Sequence, residues 1–190
     1  METREKIIYS AVKLFVDQGI AGTTTREIAS HAGVAEGSIY RYFPSKEELA
    51  WVIFHNHHIY MAEQLVRSLE HSNSIEEKVD ALVKCFLKLA DENWVMFCYY
   101  LTSQHSYMHK IKQEEKTPYR VILSVIEQAK KNNHINSENV EIMSAMVMGA
   151  VHQIATNKIY NRIQGNLYQH HELISQTICK MLNSDQENMS

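Results

Sequence analysis

Apolar residues recur at three- and four-residue intervals along nearly the whole chain, and no stretch alternates as a half-buried strand would. That pattern predicts an all-α fold of about nine helices. The first runs from about Thr3 to Gln18 on Ile7, Ile8, Ala11, Val12, Leu14 and Phe15, with Gly19 as its stop. A helix from Lys46 to about His71 follows the only proline of the first half, Pro44. Ser74 with Glu77 forms a capping box that opens a helix to about Ala90, apolar on Val79, Leu82, Val83, Phe86, Leu87 and Leu89. Trp94–Leu101 is apolar nearly all round and reads as a buried helix, and 105–116 reads as a loop with a fraying helix end. Thr117 and Pro118 start a helix to about Lys131. Ser137 is expected to cap a long helix to about Ile163, with Met143, Met146, Val147, Ala150, Ile154 and Ile159 on its apolar side. The last helix, Leu167–Leu182, carries Leu173, Ile174, Thr177, Ile178, Met181 and Leu182 on one face, and 183–190 is expected to be a disordered tail.

The stretch Thr24–Leu49 is the most informative. Thr24 is an N-cap, and Glu27 completes a Thr-x-x-Glu capping box. Gly33 sits where a sharp turn favours positive φ. Glu36–Tyr42 is the second short helix, with Ile39 inward. Phe43 is an anchor, Pro44 ends the helix, and Ser45 with Glu48 caps the next one. This is a helix-turn-helix whose second helix is shaped for a DNA major groove.

The residues Thr-Thr-x-Glu-Ile-Ala, Ala-Gly-Val, Gly-Ser-Ile-Tyr-x-Tyr-Phe and Ser-Lys-Glu-Glu-Leu, within Ile7–Leu49, resemble the TetR family of bacterial transcriptional regulators. The resemblance implies a DNA-binding domain over 1–48 and a helical effector-binding and dimerisation domain over 49–190. It implies DNA contacts at Thr24, Thr25, Arg26, Ala35, Glu36, Gly37, Ser38, Tyr40, Arg41, Tyr42 and Lys46. Lys46, at a helix start, is the clearest phosphate contact, and Thr24 or Thr25 with Arg26 would serve the other side of the groove. Tyr40 and Tyr42 have hydroxyls for phosphate and rings for sugar and thymine methyl groups. Glu36 either accepts from a cytosine amino group or only stabilises the helix start through the dipole. Arg41 is a DNA contact or one half of a surface salt bridge.

A small-molecule pocket is expected where the family places it, with Trp94, Phe97, Tyr100, Leu101, Gln104, Met148 and His152 as candidates; the same residues also read as plain core packing. The last two helices would pair with those of a second copy. Dimerisation also follows from DNA geometry, since one short helix buries too little surface for tight binding, whereas a two-fold dimer reaches half-sites about 34–36 Å apart. The expected function is a homodimeric, cytoplasmic repressor of a palindromic operator, released by a hydrophobic or aromatic effector. An activator of the same family, or a helical adaptor that does not bind DNA, are the alternatives.

Charge tempers this picture. The chain is formally −3, and its first fifty residues hold six Lys and Arg against seven Asp and Glu. Strong non-specific DNA binding is therefore not expected, while specific local contacts remain open. Cys85, Cys98 and Cys179 are odd in number and widely spaced, which fits reduced thiols; a redox-sensing Cys98 is the sharper option. No secretory signal is expected, because Glu2, Arg4, Glu5 and Lys6 interrupt an apolar start, and no run is long enough to span a membrane. His55 and His58 share a helix face without an acidic or cysteine neighbour, so no metal, no cofactor and no enzyme activity are expected.

Overall fold

The computed structural model describes residues 1–135 and 139–187, with side chains as far as Asn183. Among these the chain forms nine α-helices, two 3₁₀ turns and no strand. The helices are α1 (Thr3–Gly22), α2 (Thr25–Ala32), α3 (Gly37–Tyr42), α4 (Lys46–Ser68), α5 (Ile75–Glu92), α6 (Trp94–Tyr107), α7 (Pro118–Lys131), α8 (Val140–Ile159) and α9 (His171–Glu187). Two compact units result: Met1–His58 with Asn93–Gln113, and Ile59–Glu92 with the described residues from Glu114 onward.

In the first unit α1 packs on α2 and α6. Gly19 breaks the helical path of α1 at φ 77°, so the last residues to Gly22 form a separate turn beyond the expected stop. The core gathers Ile7, Ala11, Phe15, Ile28, Ile39, Phe43, Leu49, Phe54 and Phe97, each nearly or wholly buried. Each of the Ile, Leu and Phe side chains contributes roughly 1.5–3 kcal/mol relative to exposure. Tyr99 stacks on Phe15 at 5.8 Å and donates its hydroxyl to the Ala50 carbonyl at 2.6 Å. The all-apolar stretch at the start of α6 is not wholly buried: Val95 is exposed, and Trp94 and Leu101 are half-buried.

In the second unit α5 is central and lies against α7, α8 and α9. Its expected face is buried as read: Val79, Leu82, Val83, Phe86, Leu87 and Leu89. Ser74 and Glu77 form the expected capping box, Glu77 accepting the N–H groups of Asn73 and Ser74 while Ser74 Oγ accepts the Glu77 N–H. Thr117 caps α7, accepting the Arg120 N–H at 3.2 Å.

Several expectations change. α4 ends at Ser68, three residues short of His71. The region expected as loop from 105 is helical to Tyr107 and continues as a 3₁₀ turn Met108–Lys110. Ser137 lies outside the described residues; Asn139 caps α8, accepting the Ile142 N–H at 2.9 Å. α8 stops at Ile159, where Asn161 turns the chain with φ 56°. The last helix starts at His171, after a 3₁₀ turn Tyr168–His170, and α9 continues through Glu187 where a tail was expected. Leu173 does not share the buried face of Ile174, Ile178 and Leu182 but points outward, 68% exposed.

Candidate nucleic-acid interface

Local chemistry builds this site. The Thr24 hydroxyl accepts the Glu27 N–H at 3.2 Å and donates to Glu27 Oε2 at 2.8 Å, and the same oxygen accepts the Thr24 N–H at 2.8 Å. That locks the first turn of α2. The bonds from Thr24 are the leading cause that holds the Glu27 carboxyl below its ordinary pKa. Gly33 takes the left-handed conformation, φ 65°, that lets the chain leave α2 for α3. From behind, His31 Nδ1 meets Ser10 Oγ of α1 at 3.0 Å, and the Arg4 guanidinium lies 5.4 Å from the centre of the Phe43 ring. Ile28, Ala29, Ile39 and Phe43 turn inward, which leaves the opposite faces of α2 and α3 outside.

The outward face holds the expected residues. Thr24, Arg26, Ala35, Glu36, Gly37 and Arg41 are exposed, Thr25, Ser38 and Lys46 are half-buried, and Tyr40 and Tyr42 are 53% and 40% exposed. α3 begins at Gly37, so Ala35 and Glu36 precede it, with Glu36 as the N-cap residue whose side chain makes no cap bond. Neither Arg26 nor Arg41 forms an ion pair with a described residue. Lys46 Nζ donates to the Thr23 carbonyl at 2.6 Å, which ties the start of α4 to the start of α2 and leaves two ammonium N–H groups for another acceptor.

One feature was not legible in the sequence. The Thr25 hydroxyl donates to Glu36 Oε1 at 2.7 Å and lies 3.2 Å from the Tyr40 hydroxyl. These three residues stand eleven and fifteen positions apart, and no local motif announces the bond.

The candidate effector residues fall in both units. In the first, Phe97 and Tyr100 are fully buried; Tyr100 packs on Phe54 at 5.4 Å, and its hydroxyl meets His58 Nδ1 at 3.0 Å. Trp94 stacks on Phe97 at 6.2 Å, Leu101 is half-buried, and Gln104 Nε2 is buried without a hydrogen-bond partner among the described residues. In the second, Met148 and His152 are half-buried on α8, the His152 ring 5.3 Å from Phe86. Two clefts of that unit, of about 570 and 610 Å³, have other linings: Val66, Leu69, Lys116, Arg120 and Val121 in one, and Tyr60, Arg67, Lys84, Cys85 and Tyr168 in the other.

His55 packs on Trp51 at 4.9 Å while His58 is buried on Tyr100, and among the described residues no three His, Cys, Asp or Glu side chains gather as a metal site. Cys98 is buried, and burial raises the thiol pKa of the half-buried Cys85 and Cys179. No described helix is long and apolar enough to cross a membrane.

A braced helix-turn-helix with an exposed second helix is the arrangement by which a DNA-binding domain presents side chains to a major groove. Residues 7–50 match the family described as bacterial regulatory proteins, tetR family. That match takes in the helix-turn-helix and the helix before it. The chain is 46% identical over 48 residues to the HTH-type transcriptional regulator YerO of Bacillus subtilis, a stretch covering 25% of this chain and 17% of that one. It is 24% identical over 168 residues to the HTH-type transcriptional repressor BepR of Brucella suis, covering 80% of each. In fold it is similar to the transcriptional regulator FadR from Bacillus subtilis, solved in complex with stearoyl-CoA, with a TM-score of 0.75 at 17% identity over 92% of this chain and 97% of that one.

Proposed function

We propose that the protein is a homodimeric transcriptional repressor that binds a palindromic operator in the cytoplasm and is released by a small hydrophobic or aromatic effector. Residues 1–48 read the DNA, and 49–190 carry dimerisation and the effector response. The observation that carries the reading is the exposed face formed by Thr24–Arg26, Ala35–Tyr42 and Lys46 on a rigid helix-turn-helix. Its exposed Arg26 and Arg41, the Tyr42 hydroxyl and the two remaining N–H groups of Lys46 suit phosphate, while the residues around Gly37 suit base edges.

Dimerisation is supported by the outer face of α8 and α9. Ile142 and Met146 on α8 are 57% and 47% exposed, Leu173 on α9 is 68% exposed, and a shallow groove of about 270 Å³ is lined by Ala150, Ile154, Leu173 and Thr177. A Cβ at Gly149 would meet nothing within 4 Å, which leaves room for a close helix from a second copy. The stearoyl-CoA bound to the Bacillus subtilis FadR supports an effector with a large apolar part. α4 runs unbroken from Lys46 to Ser68 and is the element through which effector binding would reach the DNA-binding residues. The effector must bind the two states unequally, or nothing shifts.

A mobility-shift assay with folded dimer and the promoter beside the protein's own gene tests the reading. A salt-sensitive shift is expected; no shift at low salt refutes it.

A further inference from the structure

We infer that Glu36 reads a cytosine in the operator, and that Thr25 and Tyr40 are positioning residues that hold it for this task rather than phosphate donors. The inference rests on the DNA-binding reading above and goes past it to the base that is read.

Proton counting fixes the direction of the hydrogen-bond chain. The Glu36 carboxylate has no proton to give, so the 2.7 Å bond from Thr25 uses the single hydroxyl proton of Thr25. The Tyr40 hydroxyl, 3.2 Å from the Thr25 oxygen, must then be the donor in that contact. The order is Tyr40 to Thr25 to Glu36, and both hydroxyl protons are committed within the protein. A phosphate would have to break the chain to receive either one. Thr24 is in the same position, its proton given to Glu27. The phosphate-facing donors are therefore Arg26, Arg41, Tyr42 and Lys46.

Glu36 ends this chain as a pure acceptor. Its side chain makes no helix-cap bond, one carboxylate oxygen is held by Thr25, and the residue is exposed just before α3, among the residues of a helix-turn-helix that meet base edges. In the major groove only cytosine N4 and adenine N6 offer donors. Adenine sets its N7 lone pair beside N6, facing the carboxylate. Guanine presents two acceptors and thymine one. Adenine N6 is flanked by acceptors on both sides, its own N7 and the paired thymine O4, whereas cytosine N4 has the paired guanine O6 on one side and only C5–H on the other. The carboxylate thus selects cytosine and repels guanine, and its tether prevents it from swinging away from a wrong base.

The test is selection from a pool of randomised duplexes with wild type, Glu36→Gln and Thr25→Val, followed by titration of the selected site at several salt concentrations. Wild type is expected to select one cytosine per half-site, with roughly tenfold discrimination against other bases there. Glu36→Gln is expected to move that position to adenine, which matches a glutamine with N6 and N7. Thr25→Val is expected to cut the discrimination severalfold while leaving non-specific affinity and the salt slope unchanged. If Thr25 instead donated to phosphate, Thr25→Val would weaken all sequences equally and lower the salt slope by about one, which overturns its positioning role. A preferred base unchanged by Glu36→Gln overturns the cytosine assignment while leaving the DNA-binding reading intact. Selection of no sequence by folded wild-type dimer overturns the DNA-binding reading itself.

Discussion

Replacing Asp91 with alanine should unfasten the connection between α8 and α9 and cost the protein several kcal/mol of stability, about 4 kcal/mol by the contacts it loses. Asp91 is the penultimate residue of α5. Its Oδ1 accepts from Lys158 Nζ at 2.9 Å and from the Leu167 N–H at 3.1 Å, and its Oδ2 accepts the Tyr168 N–H at 2.8 Å. The Asp91 and Lys158 side chains are only 12% and 17% exposed. Burial by itself would raise the Asp91 pKa; the two backbone N–H groups and the ammonium overcome it and hold the carboxyl below its ordinary value.

Removing the carboxylate takes its acceptor from a largely buried ion pair with Lys158 and from one buried N–H, that of Leu167, while the Tyr168 N–H can turn to water. Breaking a buried ion pair from one side costs about 3–5 kcal/mol, and an orphaned buried N–H about 1–3 kcal/mol. Lys158 has a flexible stem that lets its charge reach solvent, so the lower end applies, and about 4 kcal/mol in all is expected for Asp91→Ala. Asp91→Asn keeps one acceptor but turns an amide group toward a donor, and should cost about 2 kcal/mol. Urea unfolding at one fixed protein concentration measures both, and a double-mutant cycle with Lys158→Met isolates the pair. A cost below about 1 kcal/mol for Asp91→Ala would show that the connection is held by packing alone and refute this account.

Leu173→Glu should convert the dimer to monomer in sedimentation velocity while leaving far-UV circular dichroism unchanged, because Leu173 is exposed in the single chain. Lys46→Met should weaken operator and non-specific DNA alike and reduce the salt slope by about one, read by fluorescence anisotropy over a salt series. Acidification should also expose His57. Burial, with the neighbouring His58 second, depresses its pKa from the ordinary 6.5 to about 4. A folded pKa below the unfolded one means the stabilisation is complete above pH 6.5 and is lost as pH falls toward 4. Because His57 is only half-buried as a residue while its Nε2 has no solvent-accessible surface, the ring nitrogen sets the effect, about 3 kcal/mol over that window. Urea midpoints from pH 7 to 4.5 read it, and His57→Phe should flatten the slope.

The parts of the fold that sequence reveals are those in which a residue's partner is three or four positions away. Thr24 with Glu27, Ser74 with Glu77 and Thr117 with the Arg120 N–H were all readable for this reason. So was the buried side of α5, where polar residues mark the other side. α8 is apolar around most of its circumference, so its periodicity gave no direction. Met143, Val147, Val151 and Ala155 turn into the core, whereas Met146 turns out with Ile142. α9 misled for a related reason: Leu173 belongs to the outward face and Ile174 to the inward one. Asp91 reaches partners 67 to 77 positions away, and Thr25 reaches Glu36 across the turn, distances over which one sequence carries no spacing signal.

The lack of excess positive charge in the first fifty residues now has a physical reading. Several of the acidic groups there are committed as hydrogen-bond acceptors: Glu5 on the Glu2 N–H, Glu27 on Thr24, Glu36 on Thr25. They set the geometry of the surface and at the same time cancel its field. A surface of this kind gains little from phosphate neutralisation, so its binding to arbitrary DNA is weak. The ratio between operator and competing sites then depends on oriented donors and acceptors, and each mismatch removes about 1–3 kcal/mol. One half-site offers few such contacts. In the proposed dimer, two copies held at a fixed separation by α8 and α9 would add their contacts without a second loss of rotational and translational freedom, so that dimerisation would supply the affinity that charge does not.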